Sequence, residues 1–226
     1  MKLDQVQVRV AERNQESRHR QLMTEHHYLG YLPKIGQTLW YVATYHDQWI
    51  ALLTFSAAAW KCAVRDQWIG WDLHHQYDYD RLKLIANNSR FLILPDWHHP
   101  NLGSKILSLC HKQLCADWQE HFGHRLLLLE TFVDPKRFVG TVYQAANWSY
   151  LGLTRGYRRT RQGYSNTSSS PKKVFVKSLH QQTRSLLAAL LIALPFSVFA
   201  IGAIAVDDEE GQTDPGYGYV TGAASK

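Results

Sequence analysis

Residues 90–122 read RFLILPDWHHPNLGSKILSLCHKQLCADWQEHF, and this stretch decides the fold. Arg90 to Leu94 is a nearly continuous apolar run stopped by Pro95, the pattern of a strand covered on both faces. From Leu102 the apolar residues Ile106, Leu109, Cys110, Leu114 and Trp118 recur at helical spacing, and Gly123 can end the helix at Phe122. A buried strand that feeds a long amphipathic helix through a short loop belongs to an α/β domain, because both strand faces need a covering layer.

The flanking sequence extends the pattern. Downstream, Leu126–Val133 (LLLLETFV) is a second buried strand. A short helix over Thr141–Asn147 follows, then strand-like sequence from Tyr150 to Tyr164, a break at Ser165–Pro171 and a last strand at Val174–Val176. Upstream, Thr38–Tyr45 and Trp49–Phe55 are rich in β-branched and aromatic residues, and His46-Asp47-Gln48 separates them as a hairpin turn would. Asp80 can cap a helix through Arg81, Leu82, Leu84 and Ile85, with Asn87-Asn88 as its stop. Residues 1–36 read as a polar lead-in holding one short helix. The expected architecture is a mixed β-sheet with helices on both faces, spanning residues 37–180.

The 226 residues are 45% hydrophobic, which supplies one sizeable core rather than two full domains. Cys62, Cys110 and Cys115 form no C-x-x-C pair, which speaks against a disulfide framework or zinc ribbon and suits reduced thiols in a cytoplasm. Met1 to Arg20 is polar and charged, unlike a signal peptide. The pairs His26-His27, His74-His75 and His98-His99 invite a metal reading, but adjacent side chains diverge and a pair seldom supplies two ligands by itself, so no metal is expected. The net charge of +6 is concentrated. Arg155, Arg158, Arg159, Arg161, Lys172 and Lys173, continued by Lys177 and Arg184, fall in a stretch with no acidic residue. Such a segment favours the phosphates of DNA or RNA or an anionic membrane surface, and Tyr157 and Tyr164 among the cations could stack on bases.

The C-terminal end differs in kind. Residues 185–206 form an apolar segment about as long as a hydrocarbon core is thick, and an acidic and Gly-rich disordered tail follows at 207–226. Basic residues precede the segment and Asp207-Asp208-Glu209-Glu210 follow it, so a membrane tether would leave the domain on the cytoplasmic side of an inner membrane. Lys177 to Ala200 also has the ordered regions of a secretory signal at the wrong end of the chain, as a disrupted or chimeric end would produce. Both readings stay open.

The turn between Leu94 and Leu102 is the best-placed candidate site, since the first turn of a helix after a central strand offers free N–H groups to a pyrophosphate. The arrangement resembles the GNAT acetyltransferases, whose coenzyme A loop reads Q/R-x-x-G-x-G/A. Here the run is His98-His99-Pro100-Asn101-Leu102-Gly103-Ser104, which keeps the last glycine, places Asn101 where the pattern has glycine and loses a donor at Pro100. The resemblance implies acetyl-CoA or another acyl-CoA as cofactor, with His98, Asn101, Gly103 and Ser104 as the residues at its phosphates. It also implies a proton donor at Tyr143, in Tyr143-Gln-Ala-Ala-Asn147-Trp148 where the family has Tyr-x-x-x-Gly-Phe. Glu130, alone in an apolar strand, must be paired or carry a raised pKa. It reads either as a network with Asp134 and Arg137, or as a general base or cation ligand, with Asp66 and Asp72 as weaker candidates of the same type.

A second resemblance is more specific. The runs Leu53-Thr54-Phe55-Ser56-Ala57-Ala58-Ala59-Trp60, Arg65-Asp66-x-x-Ile69-Gly70-Trp71 and Asn87-Asn88-x-Arg90-Phe91-Leu92-Ile93-Leu94-Pro95 resemble the Druantia A family. So does Leu129-Glu130-Thr131-Phe132-Val133-Asp134, continuing through Arg137-Phe138-x-Gly140-Thr141-x-Tyr143 to Asn147-Trp148. The family is named for its place in a bacterial anti-phage system, and related domains occur beside or fused to transposase-like proteins. The resemblance implies a defence or mobile-element accessory role, with defence-system or transposase proteins as partners, and delivers no reaction. Three functions follow: nucleic-acid contact through the basic segment, acyl transfer, or a scaffold presenting aromatic surface to partner proteins.

Overall fold

His46 and Asp47 both take positive φ, which makes the tight, twisted turn that joins two long strands. These are β2 (Thr38–Tyr45) and β3 (Gln48–Ala57), paired from Tyr45↔Gln48 to Thr38↔Ser56. In the computed structural model, which describes residues 1–34, 36–71, 79–156, 159–160, 163–164 and 170–189, they sit inside a seven-stranded sheet. Its other strands are β1 (Val6–Val10), β4 (Ile85–Ile93), β5 (Leu128–Val133), β6 (Ser149–Leu153) and β9 (Lys173–Ser178), in the order β1-β2-β3-β4-β5-β9-β6. Two short strands, β7 (Arg159–Thr160) and β8 (Gly163–Tyr164), pair with each other.

The helices are α1 (Glu16–His26), α2 (Ala63–Ile69), α3 (Tyr79–Leu82), α4 (Leu102–Phe122), α5 (Thr141–Ala145) and α6 (Thr183–Ala188). Helix α4 lays Ile106, Cys110, Leu114 and Trp118 on the face that presents Tyr41, Leu53, Phe55, Leu129 and Phe175. On the opposite face Met23 of α1 packs with Val42, Leu52 and Leu92. Ile69 of α2 and Leu187 of α6 close a third cluster with Ile85, Leu128 and Val176. Helices therefore cover both faces, as the uninterrupted apolar strands require.

Several expectations change. The lead-in is part of the sheet: β1 pairs with β2 from Val6↔Tyr45 to Val10↔Tyr41, and His19 and Met23 of α1 are buried. The helix expected from Asp80 to Asn88 is cut to four residues, and β4 begins at Ile85. Asn87 and Asn88 are strand residues, and the Asn88 amide serves a bulge rather than a helix stop. Thr54 pairs with Arg90 but Phe55 with Asn88, leaving Ser89 as the extra residue. The displaced carbonyl of Thr54 accepts from Asn88 Nδ2 and Ser89 Oγ, both at 3.3 Å. The last strand in the sequence is not at an edge, since β9 lies between β5 and β6.

Beyond the bulge the sheet forks. β4 and β5 are parallel and pair only at Ile85↔Leu128, Ala86↔Leu129 and Asn87↔Glu130. Among the described residues no helix is long and apolar enough to cross a membrane. The apolar C-terminal segment begins inside the fold: Leu187 is fully buried, and its carbonyl accepts from Trp71 Nε1 at 2.8 Å and Arg81 Nη1 at 3.0 Å. Residues 190–206 and the tail at 207–226 lie outside the described residues.

Candidate functional site

The first rung past the last paired residues of the fork is made by side chains. Thr131 Oγ1 donates to the Asn88 carbonyl at 2.9 Å, and the Tyr143 hydroxyl donates to Asn88 Oδ1 at 2.8 Å. Thr131 Oγ1 also lies 3.4 Å from that hydroxyl. The strand positions of Asn88 and Thr131 and the short α5 thus converge on one phenol. Burial pushes the Tyr143 hydroxyl up to about 12, so it keeps its proton at neutral pH and acts as a donor. Its ring lies against Phe175 and Trp148, at 5.8 and 5.1 Å between centroids.

Around the fork stands a rim of aromatic and charged groups. The Arg137 guanidinium lies 4.9 Å from the Tyr28 ring centroid, and Tyr28 meets Phe138 at 5.5 Å and His27 at 4.9 Å. Arg90 fixes the rim backbone by donating from Nε to the Gly30 carbonyl at 3.0 Å. Burial and the positive charge of Arg90 bring His27 down to about 4, so it is neutral at physiological pH. Burial raises the Tyr28 hydroxyl, and Asp134 adds to the shift. Phe138 and Val139 are 51% and 66% exposed, a large exposure for adjacent apolar residues. The arrangement can hold a flat or anionic group against rings backed by guanidinium, with a protonated phenol behind them.

Glu130 is on the other side. Adjacent strand residues face opposite ways, so Thr131 points to Tyr143 and Glu130 to α2. Glu130 Oε2 accepts from Arg65 Nη1 at 2.9 Å and Oε1 from the Ala59 N–H at 2.7 Å, with no exposure. Arg65 also reaches Asp66 through Nε at 2.8 Å. Burial pushes the Glu130 carboxyl up and Arg65 pulls it back. The network expected with Asp134 and Arg137 is replaced by one with Arg65 and Asp66. Asp134 instead accepts from the Lys136 N–H at 3.0 Å. Tyr143 and Glu130 therefore do not share a site. Asp72 and His74-His75 lie outside the described residues.

The α4 turn gathers the four residues implied for a cofactor. His98 and Asn101 are exposed, Asn101 takes φ of 63°, and Ser104 Oγ donates to the Asn101 carbonyl at 3.1 Å. The Leu102 N–H is used by the His99 carbonyl at 3.2 Å. A Cβ on Gly103 would stand 2.6 Å from Val142 Cγ2. The glycine therefore serves the close approach of α5 to α4, and its open face is covered by the chain itself. Pro100 gives no donor and Gly103 is packed against α5, so the turn departs from the GNAT loop pattern, while Asn101 and Ser104 border an open groove.

Of the basic segment, Arg155 is exposed just beyond β6, and Lys172 and Lys173 are half-buried at the start of β9. The Thr154 N–H donates to the Lys172 carbonyl at 2.9 Å, which holds the two strand ends together. Lys173 Nζ donates to the Val139 carbonyl at 3.1 Å, so the basic hairpin stands beside the exposed rim. Arg158, Arg161 and the side chain of Arg159 lie outside the described residues. The sequence reading missed Tyr28, Asn88, Arg90, Thr131 and Phe138. The signals were the twin Asn in an apolar run and the apolar pair Phe138-Val139 beside Arg137 in a loop.

The strand order and fork are those of the GNAT fold. Among solved structures the chain is similar to the aminoglycoside acetyltransferase AAC(6')-Ib, at 13% identity and a TM-score of 0.50 over 82% of this chain and 99% of that one. It is also similar to spermidine/spermine N-acetyltransferase SpeG from Vibrio cholerae, at 10% identity and 0.48 over 83% and 99%. At such identities the likeness speaks to fold alone. Comparison with curated proteins returns no match. A family model, described as Druantia protein DruA, matches residues 2–183. The chain belongs to that family.

Proposed function

We propose that this chain is an anti-phage defence or mobile-element accessory protein. In this reading it holds single-stranded DNA or RNA on the face formed by the β6–β9 hairpin and the loop after β5. The observation that carries the reading is the contact between Lys173 Nζ and the Val139 carbonyl. It sets the cations of the hairpin next to Phe138 and Tyr28, the combination that binds single strands by charge and stacking. Exposed Tyr150 and Leu153 on β6 extend the same surface. Defence-system or transposase-like proteins are the partners this family membership proposes. Membrane contact through 185–206 has no support in the described residues.

Fluorescence anisotropy with labelled oligo-dT and oligo-rU tests the reading. Binding should weaken steeply with salt, and Lys172→Ala with Lys173→Ala should reduce both affinity and salt slope. Absence of binding to either strand at low salt sinks it. Calorimetry with acetyl-CoA is the control for acyl transfer. A saturable heat without nucleic-acid binding would favour that alternative.

A further inference from the structure

A groove of about 480 Å³ runs between α4 and the end of α5, away from the rim. Lys105, Lys112 and Lys177 line it together with Ser104, Ser108 and His111, and none of its lining residues is acidic. Its charge comes from two separate elements, α4 and β9. Lys105 and Lys112 are seven residues apart, two turns or about 10 Å along one helix face. Successive phosphates of one backbone match cations spaced along a helix in this way. Lys177 is held across the groove by donating to the Asn147 carbonyl at 3.1 Å. Opposite it, burial and the Lys177 charge bring His111 down to about 4, so the imidazole is neutral. Its Nε2 is buried without a partner among the described residues. The serines add hydroxyl donors between the cations.

Lys173 and Lys177 project from the same face of β9, four residues or about 13 Å apart, with α5 between them. The groove is therefore placed to receive a strand that has crossed the hairpin face. We infer that it is a second phosphodiester-binding track, occupied by the backbone of the same single-stranded nucleic acid. This inference rests on the nucleic-acid reading above and adds to it a separate site.

The test is the full-length double variant Lys105→Glu, Lys112→Glu, compared with Lys172→Ala, Lys173→Ala. Anisotropy with oligo-dT and oligo-rU is read across a salt series. Circular dichroism and a thermal melt verify the fold of each variant, and Lys105→Gln, Lys112→Gln serves if the charge reversal does not fold. The groove variant should bind at least about tenfold more weakly, with a salt slope smaller by about 1.4, or about 0.7 per lost contact. Wild-type affinity and slope in the groove variant, with loss only in the hairpin variant, overturns the groove and leaves the hairpin reading standing. No binding by the wild-type chain overturns both. Saturable acetyl-CoA binding that is lost in the groove variant, with unchanged binding of both oligonucleotides, also overturns it and assigns the groove to a nucleotide.

Discussion

Arg65 and Glu130 are 65 positions apart in the sequence, yet Arg65 Nη1 donates to Glu130 Oε2 at 2.9 Å with neither side chain exposed. The pair joins α2 to β5 on the face opposite Tyr143. Removing one partner leaves a charge in a dry interior, so Glu130→Ala should cost about 3–5 kcal/mol in urea unfolding. Replacing the whole network, as Arg65→Met, Asp66→Asn and Glu130→Leu, should recover much of that loss, because Arg65→Met alone would strand the buried Asp66 carboxylate. A Glu130→Ala chain with an unchanged midpoint would remove the pair from the fold's support.

Gly103 gives a test that separates packing from ligand binding. A Cβ there meets Val142 Cγ2 at 2.6 Å, with Ile93 next at 3.4 Å. Gly103→Ala should therefore destabilise the chain by about 1–3 kcal/mol. Adding Val142→Ala should restore the melting temperature if the glycine serves only the approach of α5. A melt unaffected by Gly103→Ala would show that the two helices part freely.

Histidines set the acid limit. Burial brings His19 and His111 down to about 4, against an ordinary value of 6.5. Between those values the unfolded chain takes up protons that the folded chain refuses. Stability is thus retained above pH 6.5 and falls as the pH drops toward 4, by about 1.4 kcal/mol per pH unit for each such histidine. His111→Gln should lower the slope of stability against pH by one proton's worth. An identical slope in that variant would exclude His111 from the linkage.

At the C-terminal end, Leu187 is fully buried and its carbonyl is held by Trp71 and Arg81. Leu187→Ala in the full chain should cost about 2–5 kcal/mol. A neutral result would mean that α6 does not hold the domain, and the apolar segment could then start before it.

Much of the frame was legible in the sequence. Helix α4 runs from Leu102 to Phe122 as its apolar spacing and Gly123 required, because one long amphipathic face is a strong local signal. The β2–β3 hairpin and both buried strands were equally local. Strand β1 alternates apolar and polar residues as a half-buried strand does, but VQVRV is only five residues long inside a charged stretch, so the signal is weak. Thr131 carries no local mark of a site, and Asn88 only that of an amide pair in an apolar run. They become one only when a parallel pairing, which no short-range pattern encodes, brings β4 beside β5. The partner of Glu130 was unreadable for the same reason, while Asp134 and Arg137 were merely near in sequence.

The fork has a consequence for how the molecule opens. The seven strands are two smaller ladders, β1 to β4 and β5-β9-β6, stitched by three residue pairs. Few backbone hydrogen bonds cross the seam, and the rest of the tie is the apolar core under α4, which joins Leu53 and Phe55 to Leu129 and Phe175, with the Thr131–Asn88 and Tyr143–Asn88 side-chain links beside it. Amide exchange should divide there into two cooperative units, with the β4–β5 rungs less protected than the ladders on either side.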